Sequence, residues 1–142
     1  MAKNTITLSV DFDGTMVADD FPRIGRNIGA EYAIRYLANR GFKIVLFTVR
    51  GGEYLKEAIK WCDENGIQLL GINVNKEVCF WADSPKVYAD LYIDDRNVGS
   101  PLTADGFVDW VGVLVEIREK YSFHCDWVGF DDVVEEIRKA QK

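Results

Sequence analysis

At 142 residues, 48% hydrophobic and 28% charged, the chain has room for one core and not for two, with the balance of an ordinary globular domain. Its formal net charge of -6 disfavours non-specific binding to nucleic acid or an anionic membrane, though a few local arginines can still receive a nucleotide or a phosphorylated end. The opening M-A-K-N-T lacks the apolar core and cleavage site of a signal peptide, and no apolar run approaches the roughly 18 residues of a membrane span. Cys62, Cys79 and Cys125 show no paired spacing and read as reduced thiols of a cytoplasmic protein.

Residues 5–10 alternate Thr5, Thr7 and Ser9 with Ile6, Leu8 and Val10, the pattern of a strand. The run then meets Asp11 and Asp13, followed by Gly14 and Thr15. Asp is a poor strand former, so Asp11 marks the strand's carboxyl end, where ligands bind in open parallel sheets. Two carboxylates this close raise each other's pKa unless a cation sits between them. A hard, oxygen-coordinated ion such as Mg2+ would relieve the repulsion. For D-x-D-G alone, an Asx-type turn serving only the backbone is nearly as good a reading.

After a loop at 12–26, Asn27 is placed to cap a helix with Ile28, Tyr32, Ala33, Tyr36 and Leu37 on one face, ending at Gly41. Residues 42–48, F-K-I-V-L-F-T, suit a strand covered on both faces. The tight loop Val49-Arg50-Gly51-Gly52 leads into a second helix from Glu53, with Leu55, Ala58, Ile59 and Cys62 in helical register and Gly66 beyond its end. Residues 67–72 read as a third strand and 73–85 as loop. A fourth strand at 89–93 ends, like the first, in paired acids, Asp94 and Asp95. Strands alternating with helices predict an α/β fold with a parallel sheet. Residues 107–115 fit either period, and the polar stretch 116–120 favours helix. A last helix, capped by Asp131 or Asp132, carries Val133, Val134 and Ile137.

Three strands thus end in polar groups: Asp11, Thr48, and Asp94 with Asp95, while Lys86 precedes the fourth strand. Each alone has a bland reading as a strand end, a turn or a solvated lysine. Carboxylates for a cation, a hydroxyl and an ammonium together form a set suited to phosphoryl transfer.

D-F-D-G-T at 11–15, L-F-T at 46–48, Lys86 and I-D-D at 93–95 resemble motifs one to four of the haloacid dehalogenase-like (HAD) hydrolases, over about two thirds of the chain. The likeness is to the small bacterial and phage type without a cap domain. It implies a three-layer α/β/α sandwich with a mainly parallel, Rossmann-like sheet, the first strand lying between the second and the fourth. The whole chain, 1–142, would be one domain, with a motif-bearing core at 5–99 and a helical region at 107–142.

By that resemblance Asp11 is the nucleophile and Asp13 the acid and then the base. Asp11, the backbone carbonyl of Asp13, and Asp94 hold Mg2+, with Asp95 close by, while Thr48 and Lys86 bind the transferring oxygens. Gly14 belongs to the substrate-binding set, as do Arg50 and, more weakly, Arg23. Arg50 stands two residues after Thr48, where the alternative is an ion pair with Glu53. The implied activity is a Mg2+-dependent phosphohydrolase working through an aspartyl-phosphate. A phosphotransferase or phosphomutase on the same residues, or a non-catalytic phosphoryl-binding module, are the alternatives. Dehalogenases of the family usually lack the second acid that Asp13 supplies. With no cap the site is expected to be open, taking a phosphorylated small molecule or the phosphorylated end of a larger one, or borrowing a lid from a second copy in a homo-oligomer.

Overall fold

A computed structural model of the chain describes residues 5–77 and 84–142; Cys79 lies outside the described residues. Strand β1 (Ile6–Val10) is followed by helix α1 (Ala30–Ala38), β2 (Phe42–Leu46), α2 (Gly52–Glu64), β3 (Gly71–Ile72), β4 (Leu91–Ile93), α3 (Trp110–Lys120) and α4 (Phe130–Gln141). The strands form one all-parallel sheet in the order β3-β2-β1-β4. This is the parallel α/β fold that the alternation of strands and helices predicts, and the Rossmann-like sandwich that the resemblance implies.

Every residue of β1 is buried, Thr7 and Ser9 included, and the strand pairs along both edges. Val10 lies beside Leu46 of β2 on one side and beside Ile93 of β4 on the other. That double pairing brings three strand ends together, and the candidate residues Asp11, Thr48, Asp94 and Asp95 follow shortly after them.

Several local expectations shift by a few residues, each for a visible reason. Strand β2 stops at Leu46 rather than Thr48: the Phe47 amide still reaches the Val10 carbonyl, but the Thr48 amide donates to the Asn73 side chain as the chain turns away. Strand β3 shrinks to two residues, since the Ile67 amide closes the end of α2 on the Cys62 carbonyl and the chain bends back at Gly71. A β-carbon on Gly71 would meet the Val74 carbonyl oxygen at 2.0 Å. Helix α1 is capped by Gly29, with φ of 93°, and not by Asn27, whose amide instead donates to Glu31 and accepts from the Trp61 indole. Helix α4 is capped by Gly129, leaving Asp131 and Asp132 in its first turn, where they complement the dipole. The ambiguous 107–115 segment is helical from Trp110, because the Asp109 carboxylate caps the Val111 amide.

The C-terminal helices are fastened to the first loop. The Trp110 indole, fully buried, donates to the Thr15 carbonyl at 2.7 Å, and the Val108 amide donates to the Gly14 carbonyl at 2.9 Å. Tyr36, Trp127 and Phe130 pack their rings together where α1 meets α4. Among the described residues no helix is long and apolar enough to cross a membrane. Cys62 is buried beside the Met16 sulfur, and burial pushes its thiol up to about 12; Cys125 is half-buried and free.

Replacing Trp110 with Phe removes the indole donor, leaves the Thr15 carbonyl unpaired in a buried place and opens a small void. We expect Trp110→Phe to cost about 2–4 kcal/mol, the sum of an unsatisfied buried acceptor and lost packing. The shift in denaturation midpoint at unchanged m-value is the measurement, and a midpoint equal to wild type would refute the fastening role.

Candidate active site

The site begins where β1 ends. The Asp11 amide donates to the Ile93 carbonyl at 3.0 Å, so the β1–β4 pairing continues one residue past the strand and sets Asp11 against the residue that follows β4, Asp94. The predicted juxtaposition of these two acids is what the parallel register produces. Asp11, Asp94 and Asp95 each place one carboxylate oxygen within 4.8 Å of the others.

A single hydroxyl braces the cluster. Thr15, fully buried, donates to Asp11 Oδ2 at 2.9 Å and accepts from the Asp95 amide at 3.1 Å. In the sequence, Thr15 is legible only as the residue that closes D-F-D-G-T. Its signal, a hydroxyl in a buried turn, becomes legible only once the turn's neighbours are known. Gly14 serves the cluster by lacking a side chain. Its φ is 84°, and a β-carbon there would lie 2.4 Å from Asp95 Oδ2. The Gly14 amide already donates to the Val17 carbonyl, so the expectation that it binds substrate gives way to a space-making role.

The electrostatics follow from crowding. Burial first, and the Asp94 charge second, push Asp11 from its ordinary 3.8 up to about 7, against the Thr15 and Phe12 hydrogen bonds that pull it down. Asp95 is raised as well, by burial and then by Asp94. Three carboxylate oxygens converge here, and among the described residues none of the three acids forms an ion pair; they are a donor set that fits a hard divalent cation.

The remaining predicted residues divide into two groups. Lys86 shares with Asp11, Asp94, Ser9 and Phe47 a cleft of about 340 Å³, its ammonium 5.5 Å from the centre of the Tyr92 ring. Thr48 is buried just past β2, and its hydroxyl accepts the Arg50 amide at 3.1 Å. Asp13, two residues from Asp11, turns its carboxylate away from the three-acid cluster and into a two-point pair with Arg50 at 2.7 and 2.8 Å. The expected substrate contact from Arg50 is corrected by that pairing: its side chain is fully buried and all its N–H groups have protein acceptors. Nor does it pair with Glu53, which pairs with Lys56. Arg23 stands on the surface in a fork with Asp20. A larger cleft, about 580 Å³, lies between β4 and α3 among Leu91, Val98, Pro101 and Ile117, and Asp11 does not reach it.

The fold and sequence have a structural counterpart. A conserved protein from Bacteroides thetaiotaomicron is 40% identical, with a TM-score of 0.72; the match covers 84% of this chain and 95% of that one. No family model matches the chain, and no curated protein matches it.

A carboxyl raised on folding holds its proton more tightly in the folded state. In metal-free protein the stability that Asp11 allows is therefore complete below its unfolded value of 3.8, is lost as pH rises through the window to about 7, and stays lost above it. We expect wild-type protein in EDTA to melt lower at pH about 7.5 than at about 5.5, and Asp11→Asn to remove most of that difference. Added Mg2+ should raise the wild-type melting temperature at the higher pH. Superimposable pH profiles for the two proteins would overturn the assigned crowding.

Proposed function

The chain belongs to the same family as the conserved Bacteroides thetaiotaomicron protein, and from its site we propose that it is a divalent-cation-dependent phosphohydrolase of the haloacid dehalogenase-like type, acting on a phosphomonoester. The observation that carries the reading is the meeting of Asp11, Asp94 and Asp95 at the carboxyl end of a parallel sheet. It is strengthened by Lys86 in the same cleft.

Asp11, Asp94 and Asp95 would hold Mg2+, with the Asp13 carbonyl expected alongside. When bound, the ion supplies positive charge that favours the ionised form of Asp11 and offsets the negative phosphoryl oxygens. Asp11 then attacks phosphorus, forming an aspartyl-phosphate as the bond to the leaving oxygen breaks. Asp13 gives that oxygen a proton, later takes one from the water that attacks the same phosphorus, and inorganic phosphate leaves with Asp11 restored. Lys86 and the Thr48 hydroxyl bind the transferring oxygens, and Thr15 orients the nucleophile through its bond to Oδ2. No cap covers the described site, which suits a substrate whose phosphate projects from a larger body.

Release of chromophore from an aryl phosphate is the direct test. We expect turnover that EDTA abolishes and Mg2+ restores, and a loss of about 10³-fold or more in Asp11→Asn, which stays folded. Normal turnover by a folded Asp11→Asn protein would end the assignment. Asp94→Ala and Asp95→Ala should each raise the Mg2+ concentration needed for half-maximal activity, with Asp94→Ala raising it more.

A further inference from the structure

Arg50 has an environment that neither a surface arginine nor a substrate arginine would have. Its side chain is fully buried and all five of its N–H groups are bonded. The Nε group donates to Asp13 Oδ2 at 2.8 Å; Nη2 donates to Asp13 Oδ1 at 2.7 Å and to the Arg23 carbonyl at 2.8 Å. Nη1 donates to the carbonyls of Pro22 at 3.1 Å and Tyr54 at 3.2 Å. The rings of Phe12 and Phe21 each lie 5.1 Å from its guanidinium carbon. One side chain therefore ties together the loop after β1, the segment 21–23 and the start of α2.

A buried guanidinium is tolerable only when its charge and donors are matched. Asp13 supplies the matching charge, and the loop carbonyls take the remaining donors. Lysine cannot substitute: a single ammonium with three donors does not bridge both oxygens of a carboxylate while also holding three carbonyls. The fork occupies one lone pair on each Asp13 oxygen. An ionised carboxylate has about four such sites, so acceptor capacity remains for the proton that Asp13 exchanges, and the direction of that capacity is fixed by the guanidinium.

We propose that Arg50 is the positioning residue for Asp13, and that the same guanidinium fixes the segment 20–24 to that carboxylate, so that the acid–base group and its neighbouring loop move as one unit. The catalytic half of this inference rests on the reading of Asp13 as acid and base. The fastening half rests only on the bonds described.

The test uses the full chain with Arg50→Lys, Asp13→Asn and the double variant. Amide hydrogen exchange over 20–24 in EDTA requires no activity, and both single substitutions should speed it. Unchanged exchange in both overturns the clamp. With Mg2+ and an alkyl phosphate, whose leaving oxygen needs a proton, Arg50→Lys should lower kcat about tenfold or more and leave KM nearly unchanged. In the Asp13→Asn background the same substitution should change kcat by about twofold at most, because the two residues act in series. Equal losses in both backgrounds, or a loss confined to KM, overturn the positioning role. If Arg50→Lys does not fold, exchange in Asp13→Asn decides the fastening. A wild-type protein without phosphatase activity, in which both substitutions release 20–24, fails the functional reading while upholding the clamp.

Discussion

Crowding of negative charge at the end of β1 is the constraint around which the chain is arranged. Burial strips Asp11 of the water that would screen it from Asp94 and Asp95, so the cluster takes up a proton or requires a cation. The geometry that creates the crowding is backbone geometry. Parallel pairing of β1 with β4 sets Val10 beside Ile93, and the residues that follow cannot avoid each other. Thr15 and the bare Gly14 hold the carboxylates at close quarters without bringing in a charge.

Two acids separated by one residue live under opposite conditions. Asp13 has a guanidinium across both of its oxygens, whereas Asp11 faces two further carboxylates. Environments that differ this much set two carboxylates of one short motif apart in charge and in hydrogen bonding, as the two roles proposed for them require. The division is enforced from outside the motif. Arg50 lies 37 residues away in the chain, and its burial makes its attachment to Asp13 difficult to exchange for another.

The C-terminal region takes part in this arrangement. Its contacts with the first loop run through Val108 and Trp110 to the backbone of Gly14 and Thr15. Gln141, near the end of α4, bonds in turn to Asp109, the cap of α3. The turn that sets Gly14 against the Asp95 carboxylate is thus held through its carbonyls. Helices that carry none of the acids thereby set how firmly the acids are held.

The sequence by itself determined what depends on local chemistry. Alternation in 5–10 and the poor strand propensity of Asp placed the end of β1. The apolar run from Phe42 marked a strand covered on both faces, and glycine past the helical stretches marked their ends. The alternation of strands with helices was enough to specify the parallel α/β class, while the place of β1 beside β4, which brings Asp11 to Asp94, came from the resemblance of the motifs and not from periodicity. Tertiary structure decided whatever needed a partner distant in the chain. Arg50 follows Thr48 closely enough to suggest a phosphoryl contact, yet a buried guanidinium takes the nearest carboxylate with free acceptors, and folding made that Asp13. Residues 107–115 satisfied two periods equally until the Asp109 cap and the packing of α3 against α1 and α4 selected one. Thr15 became a brace only when β4 brought the Asp95 amide to its hydroxyl. Periodicity and propensity act over a few residues, whereas ion pairs, caps and shared hydroxyls are settled by which groups burial leaves without water.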